Sequence, residues 1–335
     1  MENNSDTLIV YLILAHGEPA LLSKLIGALE HDNVRFFVHV DAKSDISQFK
    51  TNALLKYKVT FITDRVKVYW GGFSMVEATL HLMEAAINDV PDFAYAVLLS
   101  GVHYPIKSND YILNRLKDPN VEYLQYAKVT EVGCEFKINA FCFNDFKLFN
   151  PRTTYSTNHK LNILARIPGK LVNLLFRQLV PLVYKRKLKG GIVSYAGANW
   201  WALTKPCVQH VLKYVEENNH YKKYFRFATQ PDETFFHTII CNSNFNLANQ
   251  HITLGSMTGS SATNSRYSQL RGLSLTFTKC SSNGSPKILD ESDSPNICKE
   301  ANYFDFPQLF ARKFDVERSS RLLRLIDDYR SKHRN

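Results

Sequence analysis

The sequence has six cysteines but no C-x-x-C pair and no His–Cys spacing of a zinc site. That pattern argues against a structural zinc domain and predicts reduced thiols in a cytoplasmic protein. No G-x-G-x-x-G and no G-x-x-x-x-G-K-[ST] follows an apolar run, so dinucleotide-binding and P-loop readings lose their main support. The first apolar run, "TLIVYLILA", is too short to span a bilayer. It follows an acidic, polar leader without the basic start or small-residue cleavage site of a signal peptide, and reads as a buried strand. No internal repeat, collagen period or coiled-coil bias is present.

What the chain does have is positive charge. A formal +10 over 335 residues leaves three classes of partner open: nucleic acid, an anionic membrane surface, or an acidic small molecule such as a sugar nucleotide. No recognition helix or RNA motif accompanies the charge, so no nucleic-acid partner is expected. The segment Asn158 to Lys189 is basic and amphipathic, broken by Pro168 and Pro181. It reads either as a solvated face over a hydrophobic core or as a peripheral attachment to anionic lipid, on the inner face of the cell membrane.

Short apolar runs alternate with helical patterns through the first third. Strands are expected at Leu8 to Ala15, Arg35 to Val40, Val59 to Ile62 and Ala94 to Leu99, with helices at Ala20 to Leu29 and Ser74 to Ile87. This predicts an α/β fold with a mainly parallel central sheet and helices on both faces. A charged amphipathic helix is expected at Val316 to Lys332, after a Ser/Asn/Gly-rich tract at Ser256 to Ser285. One main domain, residues 1–255, would then carry a C-terminal extension, 256–335.

In open α/β sheets, ligands bind beyond the carboxyl ends of the strands. Those ends carry "AHGEP" (Ala15 to Pro19), "HVDAKSD" (His39 to Asp45) and "LLSGVHYPIKS" (Leu98 to Ser108). Three polar, turn-forming segments at one sheet edge point to a site.

"QPDETFFHTII" (Gln230 to Ile240) reads as a helix start with Thr229 as N-cap and Pro231 in the first turn. Asp232 and Glu233 are then either favourable first-turn charges or catalytic carboxylates at the top of an apolar face, where lost hydration raises basicity. Periodicity does not choose between the two. Trp200 and Trp201 follow Gly197, Ala198 and Asn199, a grouping that suits stacking on a sugar ring with a polar neighbour for its hydroxyls; core tryptophans are the other reading. "FARKFD" (Phe310 to Asp315) sets Arg312 and Lys313 between aromatics, either as an exposed basic turn or as cations that neutralise a leaving diphosphate.

Taken in order, "WGGFSMVEATL" (Trp70 to Leu80), "LLSGVHYPIKS", "GANWWALT" (Gly197 to Thr204), "PDETFFHTII" and "FARKFD" resemble glycosyltransferase family 14, the core-2/I-branching N-acetylglucosaminyltransferases and peptide O-xylosyltransferases. The likeness covers about residues 7 to 330 and is to a compact, bacterial type of member. It implies a GT-A fold and an inverting transfer of a sugar, N-acetylglucosamine or xylose, from a UDP-sugar to a hydroxyl of a glycan or lipid-linked glycan. It implies no cofactor and no obligatory metal. Glu233 would be the general base and Asp232 its orienting neighbour. Arg312 and Lys313 would bind the diphosphate; His16, Asp41 and Lys43 resemble the uridine-side loops. Ser100 and Gly101 stand where metal-dependent relatives carry Asp-x-Asp. Asn199, Trp200 and Trp201 would shape the sugar pocket, and Arg271 is a further phosphate or acceptor contact. The chain departs from the pattern at His103, where many relatives have an acid, and in the loop before Pro286. A non-catalytic glycan- or nucleotide-binding protein on the same fold is the alternative.

Overall fold

The computed structural model describes residues 8–150, 167–172, 174–176, 186–188, 190–248, 274–281, 285–298 and 308–333. Strands β1 (Ile9–Ala15), β2 (Val34–Val40), β3 (Val59–Phe61) and β4 (Tyr95–Ser100) lie within a residue or so of the apolar runs that predict them. Short strands follow: β5 (His103–Pro105), β6 (Ala127–Lys128), β7 (Tyr195–Ala196), β8 (Ala202–Thr204), β9 (Thr276–Thr278) and β10 (Phe310–Arg312). The central sheet has the order β3-β2-β1-β4-β8 and is parallel except for β8, which runs against β4.

Both faces of this sheet are covered. Helix α1 (Pro19–Leu29) lies on one side and α2 (Ser74–Asp89) on the other. Val10 and Leu12 share a core with Val76, Leu80 and Met83 of α2, whereas Ile9, Tyr11 and Ile13 share one with Leu22, Leu25 and Ile26 of α1. Alternate side chains of β1 therefore feed opposite layers, which is why the run is continuously apolar.

The amino end of α2 explains the "WGGFS" motif. Asp145 accepts the Phe73 N–H at 2.7 Å, the Ser74 N–H at 3.1 Å and the Ser74 hydroxyl at 2.6 Å, capping the helix from a distant segment. A Cβ on Gly72 would stand 2.1 Å from Asp145 Oδ1, so the cap requires glycine there.

The C-terminal part is built into the fold. Strand β10 lies between β5, antiparallel, and β9, parallel. The last helix runs from Ser320 to Lys332 rather than from Val316, because Val316–Ser319 form a turn. Its Leu322, Leu323 and Ile326 pack with Leu21, Tyr104 and Ile106. Arg330 ties it down by donating to Ala28 O at 2.6 Å and Lys107 O at 2.8 Å. Arg271, most of Asn158–Lys189 and most of Ser256–Ser285 lie outside the described residues.

Candidate active site

Strands β1, β2 and β4 end at one edge, which sets His16, Asp41, Ser100 and Gly101 side by side. The reversed β8 brings its amino end to the same edge; Leu98 N–H donates to Trp201 O at 2.9 Å, so Asn199 and Trp200 sit beyond β4. Register in the small sheet pairs Arg312 with His103. Topology thus gathers residues from five separate motifs.

One side of the site is cationic. Asp41 Oδ1 accepts the N–H of Lys43 at 2.9 Å and of Val68 at 3.3 Å, and its other oxygen lies 3.3 Å from the Lys43 ammonium. Lys43 also stands 4.5 Å from the Tyr69 ring centre. Burial, and next the Lys313 cation, hold His16 below the ordinary imidazole range against the opposite pull of Asp41, with Lys43 and Arg312 acting in the same sense as Lys313. A neutral imidazole therefore feels three cations at once. Arg65, which no sequence pattern singled out, frames this loop by donating to the carbonyls of Val40, Asp41 and Ser44 at 2.6–2.8 Å.

Between the two sides stands Trp200, partly buried, with the Arg312 guanidinium 4.7 Å from its ring centre and the His103 ring 4.4 Å away edge-on. The Ser100 N–H donates to His103 Nδ1 at 2.9 Å, with the Ser100 hydroxyl 2.7 Å from the same nitrogen. Burial, and then Arg312, hold His103 well below the usual range, so the ring is neutral. With Nδ1 accepting, its proton is on Nε2. Ser100 is thus engaged with His103, and Gly101 packs against Ala15 while donating to Leu14 O at 2.9 Å.

The other side carries the carboxylates. Thr229 is not an N-cap: Gln230 takes a left-handed conformation (φ 49°) in front of Pro231, and Pro231–Glu233 form a single 3-10 turn before the helix Phe235–Cys241. The reason is local, since the residue before proline is driven out of the helical region. The Gln230 N–H instead donates to Gly71 O at 3.0 Å, tying the turn to the "WGG" loop. Glu233 accepts from Lys137 in an ion pair whose side chains are 9% and 2% exposed. Asp232 Oδ2 accepts the Asn199 amide. Asp232 Oδ1 and Asn199 Oδ1 are buried with no hydrogen bond. Burial, and next the Glu233 charge, push Asp232 up to about 7, with Lys137 and Asn199 opposing them.

One expectation changes here. Trp201 is fully buried against Phe236, ring centres 5.9 Å apart, so it belongs to the core rather than to a sugar pocket. Gly197 is small for the sake of the protein itself: a Cβ would stand 1.7 Å from Gln125 O and 2.7 Å from the His237 ring. His237, pushed down to about 4 chiefly by burial, is neutral and lies 3.1 Å from Ala198 O. Among the described residues no cluster of three or more His, Cys, Asp or Glu side chains is placed to hold a metal ion.

Residues 9–279 match the family described as Core-2/I-Branching enzyme, and the chain belongs to that family. Similar curated proteins are Xylosyltransferase 2 of Homo sapiens, 23% identical over 248 residues (70% of this chain, 24% of that protein), and Xylosyltransferase 2 of Bos taurus, 22% identical over 339 residues (96% and 33%). Xylosyltransferase oxt of Drosophila melanogaster is 23% identical over 251 residues, 72% of this chain and 25% of its own length. The chain spans about a quarter to a third of the length of these relatives.

Proposed function

We propose that this member of the Core-2/I-Branching enzyme family is a glycosyltransferase that moves a sugar from a UDP-sugar to a hydroxyl of a glycan or lipid-linked glycan. The transfer inverts the anomeric carbon to give a β linkage and needs no metal. Xylose and N-acetylglucosamine are the donors favoured, the first by the names of the similar proteins. One observation carries the reading: the Arg312 guanidinium stands 4.7 Å from the Trp200 ring centre, while Asn199, the residue before Trp200, donates to the buried carboxylate of Asp232, so cation and carboxylate flank one short segment.

The chemistry divides between those two sides. Cations at the sheet edge take the developing charge of the departing diphosphate, as a divalent metal would. The Asp232–Glu233 turn supplies the base for the attacking hydroxyl, a contribution of typically 10²–10⁴ in rate. The test is release of UDP from UDP-xylose and UDP-N-acetylglucosamine by purified protein, with and without chelator. Release unaffected by chelator supports the reading; release abolished by chelator removes metal independence, and no release or UDP binding removes the activity.

We place this transfer in cell-surface polysaccharide synthesis, at the cytoplasmic face of the membrane. Leu171, Leu174, Leu175 and Phe176 are exposed, and Phe176 touches Phe143, whose segment also exposes Phe146 and Leu148. The surrounding stretch, Asn158 to Lys189, contains lysines and arginines but no acidic residue, which suits an anionic bilayer. Co-sedimentation with anionic but not neutral vesicles at low salt is expected; equal recovery with both would discard the electrostatic attachment.

A further inference from the structure

The strand segment beside Asn199 and Trp200 carries a polar side chain that the fold itself does not use. Tyr123 pairs antiparallel with Ala202, and Ala127 with Ala196. Between those pairs three residues, Leu124–Tyr126, face five, Gly197–Trp201, so the longer side bulges. Gln125 is the middle residue of the shorter side. Its carbonyl lies so close under Gly197 that a Cβ there would stand 1.7 Å from it.

Gln125 is 4% exposed, and both its Oε1 and its Nε2 are buried with no hydrogen bond among the described residues. A buried amide in that state has lost its hydration without compensation, unless a ligand or a water supplies the partners. Leu124 belongs to the core beneath α2 and Tyr126 packs against it, whereas Tyr123 belongs to the other core, with Leu309 and Phe310. Side chains alternate along an extended segment, so Gln125 points to the face of Tyr123, toward the layer of β10. Arg312 reaches Trp200 from that same strand. The bulged segment also ties to the carboxylate turn, through the Gly197 N–H to Glu233 O and the Asn199 amide to Asp232. Gln125 thus faces the one segment that touches both Arg312 and the carboxylate turn.

We infer that the Gln125 amide binds the sugar being transferred, with Nε2 donating to one hydroxyl oxygen and Oε1 accepting from the neighbouring hydroxyl. The inference deepens the glycosyltransferase reading above and rests on it. In the transfer the anomeric carbon lies between the leaving diphosphate and the base, so its ring is held against the segment that joins the two. A neutral amide suits this place: it offers a donor and an acceptor together and adds no charge beside the diphosphate. Xylose and N-acetylglucosamine both carry a vicinal pair of hydroxyls. A donor sugar without that pair would leave the buried amide unpaired, which is how such a site discriminates.

The experiment uses the full chain and its Gln125→Met variant, close in length and volume but without the amide. Affinities for UDP, UDP-xylose and UDP-N-acetylglucosamine are measured by calorimetry, and stability by urea denaturation. UDP affinity is expected to stay unchanged, while affinity for the UDP-sugar that the wild type binds falls about 10-fold. The urea midpoint should hold or rise, because a buried polar group without a partner has been removed. Gln125→Asn, which keeps the amide but withdraws it by one carbon, reads the same split should methionine not pack. UDP and UDP-sugar affinities that fall together overturn the assignment, since the side chain then serves the fold. An unchanged UDP-sugar affinity with a lowered midpoint also overturns it, and means that the amide holds a buried water only. A wild-type protein that binds neither UDP nor a UDP-sugar overturns the glycosyltransferase reading itself, and the assignment with it.

Discussion

Lys137 and Glu233 are 96 positions apart in the chain and meet as a buried ion pair at the base of the carboxylate turn. Breaking such a pair leaves one charge buried and uncompensated, which typically costs about 3–5 kcal/mol, whereas replacing both members by apolar groups is close to neutral. Lys137→Met is therefore expected to lower the urea midpoint sharply, and Lys137→Met with Glu233→Leu to recover much of the loss. Equal destabilisation by the single and double variants would mean that the pair is not what the turn depends on.

Gly197 has no room for a side chain, since a Cβ would stand 1.7 Å from the backbone oxygen of Gln125. Backbone cannot step aside as a flexible side chain can, so Gly197→Ala must shift β7 or the His237 helix. Overpacking of this kind costs typically about 1–3 kcal/mol. The expected result is a lower melting temperature with loss of UDP release, since the Gly197 N–H also donates to Glu233 O at 2.9 Å. Wild-type stability in this variant would show that the contact relaxes freely.

The parallel sheet was legible because β1 and β4 are buried on both faces and therefore read as unbroken apolar runs. The site edge was legible for the same reason, since a polar turn directly after such a run announces the carboxyl end of a strand. The helix start at Thr229 was misread because Pro231 acts on the residue before it, and Gln230 finds its partner in Gly71, far away in sequence. Trp201 was misplaced because the two adjacent tryptophans just ahead of β8 differ in burial, and only the pairing with β4, where Leu98 N–H donates to Trp201 O, says which one is inside. Lys137 left no signal at all. A lysine in "CEFKINAF" looks solvated until the fold brings Glu233 to it.

Arg312 stands over Trp200 and is one of the three cations that act on His16. A charge-assisted contact to a diphosphate contributes about 1.5–3 kcal/mol, so Arg312→Ala should weaken UDP binding roughly 10-fold or more. The salt dependence of binding should flatten at the same time, because fewer charges are involved. Trp200→Phe should retain more affinity than Trp200→Ala, since a smaller ring still supports the guanidinium. Calorimetry at low and moderate salt checks both; unchanged UDP affinity in Arg312→Ala would remove it from the donor site.

Asp232 also makes a stability statement. Its folded-state value of about 7 lies above the ordinary 3.8, so between those two values the native protein holds a proton that the unfolded chain has released. Linkage then has one sign: the native state is disfavoured progressively as pH rises from about 4 to 7, and the effect is constant above that window. Asp232→Asn removes the ionisation and keeps an oxygen to accept the Asn199 amide. The variant should therefore gain on the wild type as pH rises, with the stability difference moving in its favour between about pH 5 and 7 and levelling by about pH 8. Urea denaturation of the two proteins across that range measures it directly. Parallel curves would mean that Asp232 ionises in the folded protein as it does in the unfolded chain.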